Sequence, residues 1–170
     1  MTSDLSKIKK IRSTKKFTIS LAESCTGGMI SKYLTSINGS SLFFNGACIS
    51  YSNKMKTRLL GVPKNTIINY GAVSDQTALA MVKGLKKITD SEILLSVTGV
   101  AGPSGGTART PVGCVFFGIG SKINKKYTFQ TTKKIFHEKT RIAIQKKSSE
   151  YAIYLILKEL KKIFGLNLEV

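Results

Sequence analysis

The chain of 170 residues has no tryptophan and one histidine, His137. It also has three prolines, three cysteines and nine acidic residues. Each scarcity removes a class of chemistry. A Ser-His-Asp triad would have to use His137, at the start of the final helical pattern. Nine carboxylates with no cluster among them argue against a two-metal hydrolase. Cysteines at 25, 48 and 114 are odd in number and widely spaced, which gives neither a disulfide framework nor a Cys-x-x-Cys metal knuckle. Cys48 and Cys114 lie in apolar runs and read as small core residues. Cys25 lies in a polar loop, but a nucleophilic cysteine usually needs a histidine beside it. No apolar stretch approaches the roughly 18 residues that span a bilayer. The segment Met1–Lys16 is polar and lysine-rich, without the apolar region of a secretory signal. The expectation is a cytoplasmic protein with no membrane partner.

Positive charge is abundant. The formal net charge is +18, yet four of the 27 basic residues are arginine. Base readout and bidentate phosphate grip rely on arginine, and the lysines are spread along every segment. A solvated lysine surface is therefore expected, with weak attraction to polyanions at low salt and no specific nucleic-acid partner. Hydrophobic residues make up 42% of the chain, enough for one buried core at this length. We expect a single domain over residues 17–165. Residues 1–16 form a basic arm or a short helix carrying Leu5, Ile8 and Ile11.

The order of elements follows from hydrophobic period and punctuation. Phe17-Thr-Ile-Ser-Leu21 alternates like a strand. Met29–Thr35 has helical spacing. Leu42–Tyr51 is an apolar strand. Ser52 caps a helix over Asn53–Leu60 that ends at Gly61-Val-Pro63. Thr66–Tyr70 is a short or irregular piece. Ser74 caps the next helix, with Thr77 where a capping box would place glutamate. Ala78, Met81, Val82, Leu85 and Ile88 form its apolar face. Strands follow at 93–98, 111–120 and 125–132, and the longest helical pattern runs from His137 to Phe164. This order predicts a three-layer α/β/α sandwich with a mixed β-sheet.

Ligands in such folds sit on loops beyond strand ends. One loop is conspicuous: Thr98-Gly-Val-Ala-Gly-Pro-Ser-Gly-Gly-Thr107 packs four glycines and a proline between two apolar strands. Its spacing matches neither of the common nucleotide loops. On its own it reads as a tight turn as readily as an anion-binding nest. Other chemistry-capable loops are Glu23–Gly28, Gly39–Ser41 and Ser50–Lys56. With histidine and acid scarce, serine and lysine remain. A desolvated lysine loses its proton readily and can activate a hydroxyl.

Five motifs stand in order: Ala22-Glu-Ser-Cys-Thr-Gly-Gly28, Gly39-Ser-Ser41, Tyr51-Ser-Asn-Lys-Met-Lys56, Gly71-Ala-Val-Ser74, and the 98–107 loop followed by Pro111-Val-Gly113. Together they resemble the C-terminal domain of the CinA (competence/damage-inducible) family over about residues 17 to 160. The family's molybdopterin-binding-like domain has no counterpart in this sequence. The resemblance implies a nicotinamide mononucleotide amidohydrolase, which releases ammonia and nicotinate mononucleotide in pyridine nucleotide salvage without metal or cofactor. It implies Ser41 as nucleophile, Lys56 as base and Tyr51 as the group orienting them. Ser24, Thr26 and the N–H groups around Gly27 become oxyanion donors. Thr98, Gly99, Gly102, Gly105, Gly106 and Thr107 become the nucleotide wall, and Arg141 a phosphate or structural residue. Ser24 and Ser52 also lie in matching motifs, and sequence does not rank the three serines by distance from Lys56.

The chain departs from the family pattern before the last helix. It reads Lys139-Thr-Arg141 and then Gln145, where the family often has Gly-Asp-Arg and a second arginine. Thr110, beside Arg109, stands where a lysine is usual. Two alternatives to the enzyme remain: a nucleotide-binding member with little turnover, or a protein associated with competence or DNA damage. The partner is expected to be a small nucleotide, and a homo-oligomer stays open.

Overall fold

The structure, a computed structural model, describes residues 2–166. Its centre is a five-stranded sheet in the order β2-β1-β3-β4-β5. Strands β1 (Ile19–Glu23), β2 (Phe44–Ile49) and β3 (Ile93–Gly99) run parallel. Strands β4 (Cys114–Ile123) and β5 (Lys126–Ile135) add antiparallel. β1 and β3 are buried almost throughout, as central strands covered on both faces must be. The alternation in Phe17–Leu21 suggested one wet face. Ser20 is instead buried, and its hydroxyl is satisfied by Ser91 Oγ at 2.8 Å.

Helices cover both faces, so the sandwich is three-layered as expected. One face carries α1 (Thr2–Thr14), α2 (Met29–Thr35) and α6 (Arg141–Phe164), whose apolar residues join the main core with β1, β3 and β4. The other carries α3 (Asn53–Leu60), α4 (Lys64–Tyr70) and α5 (Asp75–Ile88) around a second cluster centred on Leu60, Met81, Val82 and Leu94. Of the two expectations for the N-terminal segment, the helix holds over Thr2–Thr14. Leu5, Ile8 and Ile11 of α1 are buried in the main core. Among the described residues no helix is long and apolar enough to cross a membrane.

Helix starts obey local chemistry. Ser52 accepts from Met55 N–H at 3.2 Å and Ser74 from Thr77 N–H at 3.1 Å, each satisfying an orphan donor. Gly61 ends α3 in the left-handed conformation. The last helix begins at Arg141 rather than His137, because Thr140 accepts from Ala143 N–H and caps it there.

Candidate active site

The C-terminal ends of β1, β2 and β3 point to one corner of the sheet, and a cavity of about 290 Å³ opens there. Ser24 follows directly on β1. Lys56 lies in the first turns of α3, which the Ser52 cap starts just beyond β2. Lys56 is 2% exposed, among the most buried side chains of the protein. Its Nζ donates to Ser24 Oγ at 2.8 Å, to the Ser50 carbonyl at 3.1 Å and to the Tyr51 carbonyl at 3.2 Å. Among the described residues no carboxylate lines the cavity. Burial therefore pushes the amine below the ordinary lysine value, opposed in part by the charge that Cys25 can carry. The Cys25 thiol is itself buried, which pushes it up to about 12 and keeps it neutral.

The loop that carries Ser24 is organised by a residue the sequence did not single out. Glu23 is fully buried. Its carboxylate accepts from Thr26 Oγ1, from the N–H groups of Gly28, Ile30 and Ser31, and from Ser31 Oγ, at 2.6–3.2 Å. These bonds saturate the start of α2 with an internal anion. Sequence offered one signal, an acidic residue at the end of an apolar strand. From the opposite side, Gln145 Nε2 donates to the Cys25 carbonyl at 2.8 Å, so this departure from the family pattern also anchors the loop.

Several expected roles change. Ser41 does not meet Lys56. It is exposed in a single 3-10 turn, Ser40–Leu42, before the N-terminal end of β2. Lys56 lies beyond the other end of that strand, and six extended residues span about 20 Å. Thr26 spends its hydroxyl on Glu23, and Gly27 donates its N–H to the Ser24 carbonyl, so neither that hydroxyl nor that N–H is free for an oxyanion. Tyr51 contacts Lys56 through its carbonyl. Its phenol oxygen accepts from Arg141 Nη2 at 2.8 Å instead. Gly106 and Thr107 stand outside the cavity wall, and Thr107 bonds Thr110 in an exposed turn.

Ser24, Tyr51, Lys56, Thr98, Gly99, Gly102, Gly105 and Arg141 do line the one cavity. Thr98 Oγ1 donates to the Ala72 carbonyl at 2.7 Å, which ties the Gly71-Ala-Val-Ser74 segment to the wall. Arg141 Nη1 donates to the Gly102 carbonyl at 2.7 Å. Gly102 has φ +73° and would place a Cβ 2.6 Å from Val112, so glycine is required there. Ser52, the third serine of the matching motifs, is occupied as the α3 cap. Asn53, Val73 and Ser104 also line the cavity; they lie within the quoted motifs, but sequence reading assigned them no role of their own.

Comparison with known proteins places this geometry among relatives. The family model for the CinA C-terminal domain matches residues 2–160. A CinA-like protein of Leptospira biflexa is 44% identical over 151 residues, covering 86% of this chain and 34% of the relative. One from Pseudothermotoga lettingae is 40% identical over 149 residues, covering 88% and 36%. The chain thus spans about a third of the length of these curated relatives. Among solved structures, the competence/damage-inducible protein CihA of Agrobacterium tumefaciens superposes with a TM-score of 0.83 at 31% identity, covering 91% of this chain and 94% of that one. A Klebsiella pneumoniae competence damage-inducible protein A shares the fold at 24% identity, with a TM-score of 0.84 over 93% of this chain and 95% of that one.

Proposed function

Since the chain belongs to the CinA C-terminal domain family, we propose that it is an amidohydrolase acting on nicotinamide mononucleotide, with Ser24 as nucleophile and Lys56 as base. The observation that carries this reading is the 2.8 Å contact between Lys56 Nζ and Ser24 Oγ. A neutral amine has two N–H donors and one lone pair. The Ser50 and Tyr51 carbonyls take the two donors, which leaves the lone pair for the Ser24 hydroxyl proton. Burial loosens the amine's hold on its third proton, which favours the neutral form.

In this reading Ser24 Oγ attacks the carboxamide carbon while its proton passes to Lys56 Nζ. Among the described residues the Thr26 N–H finds no acceptor, and it is available to the oxyanion. Lys56 then returns the proton to the leaving nitrogen and ammonia departs. Water, deprotonated by Lys56, hydrolyses the ester on Ser24 and releases nicotinate mononucleotide. Arg141 provides the other cation of the lining, and the turn through Gly102–Gly105 adds backbone donors near it, which suits a phosphate.

The test is ammonia release from nicotinamide mononucleotide. Ser24→Ala and Lys56→Ala are expected to lower kcat by about 10³-fold or more, whereas Ser41→Ala keeps most of it. Activity that survives Ser24→Ala and vanishes in Ser41→Ala would restore the role the resemblance gave to Ser41. Tight binding of the nucleotide without ammonia release would instead mark a nucleotide-binding member with little turnover.

A further inference from the structure

Lys56 sits among neutral partners: the Ser24 hydroxyl and two carbonyls. The charged and titratable groups packed around it are engaged elsewhere or uncharged. From the β1–α2 loop, the Glu23 carboxylate is taken up by five donors at the start of α2. The buried Cys25 thiol stays protonated. From α6, the Arg141 guanidinium donates to the Gly102 carbonyl and to the Tyr51 phenol oxygen. On α3 itself, Lys54 and Arg58 line a separate groove. The glycine-rich loop and the Ala72-Val73 segment bring no ionisable side chain to the wall. Among the described residues the lining therefore holds two basic groups, Lys56 and Arg141, and no countercharge for a cation.

The proposed substrate carries a charge of its own. In nicotinamide mononucleotide the ring nitrogen that bears the ribose is quaternary and positive, and it lies two bonds from the ring carbon that bears the carboxamide. Ser24 Oγ must come to about 3 Å from the carboxamide carbon to attack it, and Lys56 Nζ stands 2.8 Å from that oxygen. The ring charge then lies roughly 5–8 Å from Nζ.

Resting on the deamidase reading, we propose that the positive ring of the substrate drives the proton off Lys56 as it binds, so that a carboxamide on a cationic ring is the substrate class that arms the base. At that separation and the effective dielectric of a protein site, two like charges weaken proton binding by about tenfold or more. The protein offers the ring no carboxylate, so the repulsion falls on the basic group that can lose its charge. Arg141 cannot, since a guanidinium keeps its proton. The nucleotide phosphate acts in the opposite sense, but it does so equally in the oxidised nucleotide and in its reduced, dihydropyridine form, whose ring is neutral. The ring alone separates the two. A lysine that holds its proton less tightly also returns it more readily to the leaving nitrogen.

The test uses Ser24→Ala, which binds without forming the ester. Calorimetric titration in buffers of different ionisation enthalpy counts the protons released on binding. The working pH is that at which the Lys56 Cε resonance, identified by its loss in Lys56→Met, is half titrated in the free protein. There nicotinamide mononucleotide should release about 0.4 proton more than its reduced form. The difference should vanish when Lys56→Met is added. With the oxidised nucleotide bound, the midpoint of the Cε titration itself should fall by about one pH unit or more relative to the reduced one. Equal proton release from the two nucleotides overturns the proposal. So does a difference that survives Lys56→Met, a Cε midpoint indifferent to the ring, or failure of the oxidised nucleotide to bind. None of these readouts needs turnover, so ammonia release by the wild type can fail while the proton count holds, and the reverse.

Discussion

Lys56 shows how surroundings change the chemistry of one residue. On an exposed helix it would be a protonated surface cation. Here its ammonium has lost nearly all contact with water and has three neutral oxygen partners in return. Neutral partners do not replace the hydration of a full charge, so the proton is held less tightly. Two outcomes follow at this scale. If Lys56 acts as base, kcat rises with pH through one ionisation below the ordinary 10.5, and a flat profile between about pH 6 and 10 sinks the assignment. Stability follows the same proton. Between the lowered native value and 10.5 the unfolded chain binds more protons than the native one, so stability rises with pH across that window. Urea midpoints measured across it should climb in the wild type and lose that climb in Lys56→Met. The resemblance named Ser41 as nucleophile and left Ser24 and Ser52 as other serines in matching motifs, because motif order carries no distances. The three serines sort only when β2 is seen to separate Ser41 from the corner where β1 and α3 meet.

At the scale of elements, the strand–loop–helix unit β1–α2 does most to hold the site. Glu23 ends the strand and its carboxylate closes the first turn of the helix, with Ser24 held between them. Glu23→Gln keeps the shape but turns one acceptor into a donor facing N–H groups. It is expected to cost about 2–3 kcal/mol of stability, measured by urea denaturation, and to lower kcat more than it changes KM, because Ser24 shifts against Lys56. Many element boundaries were legible because their causes are local: the Ser52 and Ser74 caps, the left-handed Gly61, the apolar face of α5. The illegible details depend on partners distant in sequence. Thr77 sits where a capping box is expected, yet its hydroxyl reaches back to the Gly71 carbonyl at 2.6 Å. Arg141 was placed before the last helix without a partner, and its bonds reach back 39 residues to Gly102 and 90 residues to Tyr51.

At the scale of the whole molecule, charge dominates. Nine carboxylates cannot neutralise 27 cations, and two of the nine, Glu23 and Glu159, are buried inside hydrogen-bond networks. Self-repulsion should therefore weaken the native state at low ionic strength. Raising salt from about 10 to 150 mM, which shortens the screening length from ~30 to ~8 Å, is expected to raise the melting temperature. A melting temperature that falls over this range would mean that attractive pairs outweigh the repulsion. By itself the sequence determined the α/β class, the order of strands and helices and the family motifs, because these follow from hydrophobic period, local capping and residue type. The resemblance also pointed to Lys56 and to the glycine-rich loop, which line one cavity. The tertiary structure alone decided that Ser24 is the serine against Lys56, that Glu23 holds its loop, and that Ser41 lies at the far end of β2. Those facts are distances between residues far apart in the chain. They exist only once burial has stacked β2, β1 and β3 side by side.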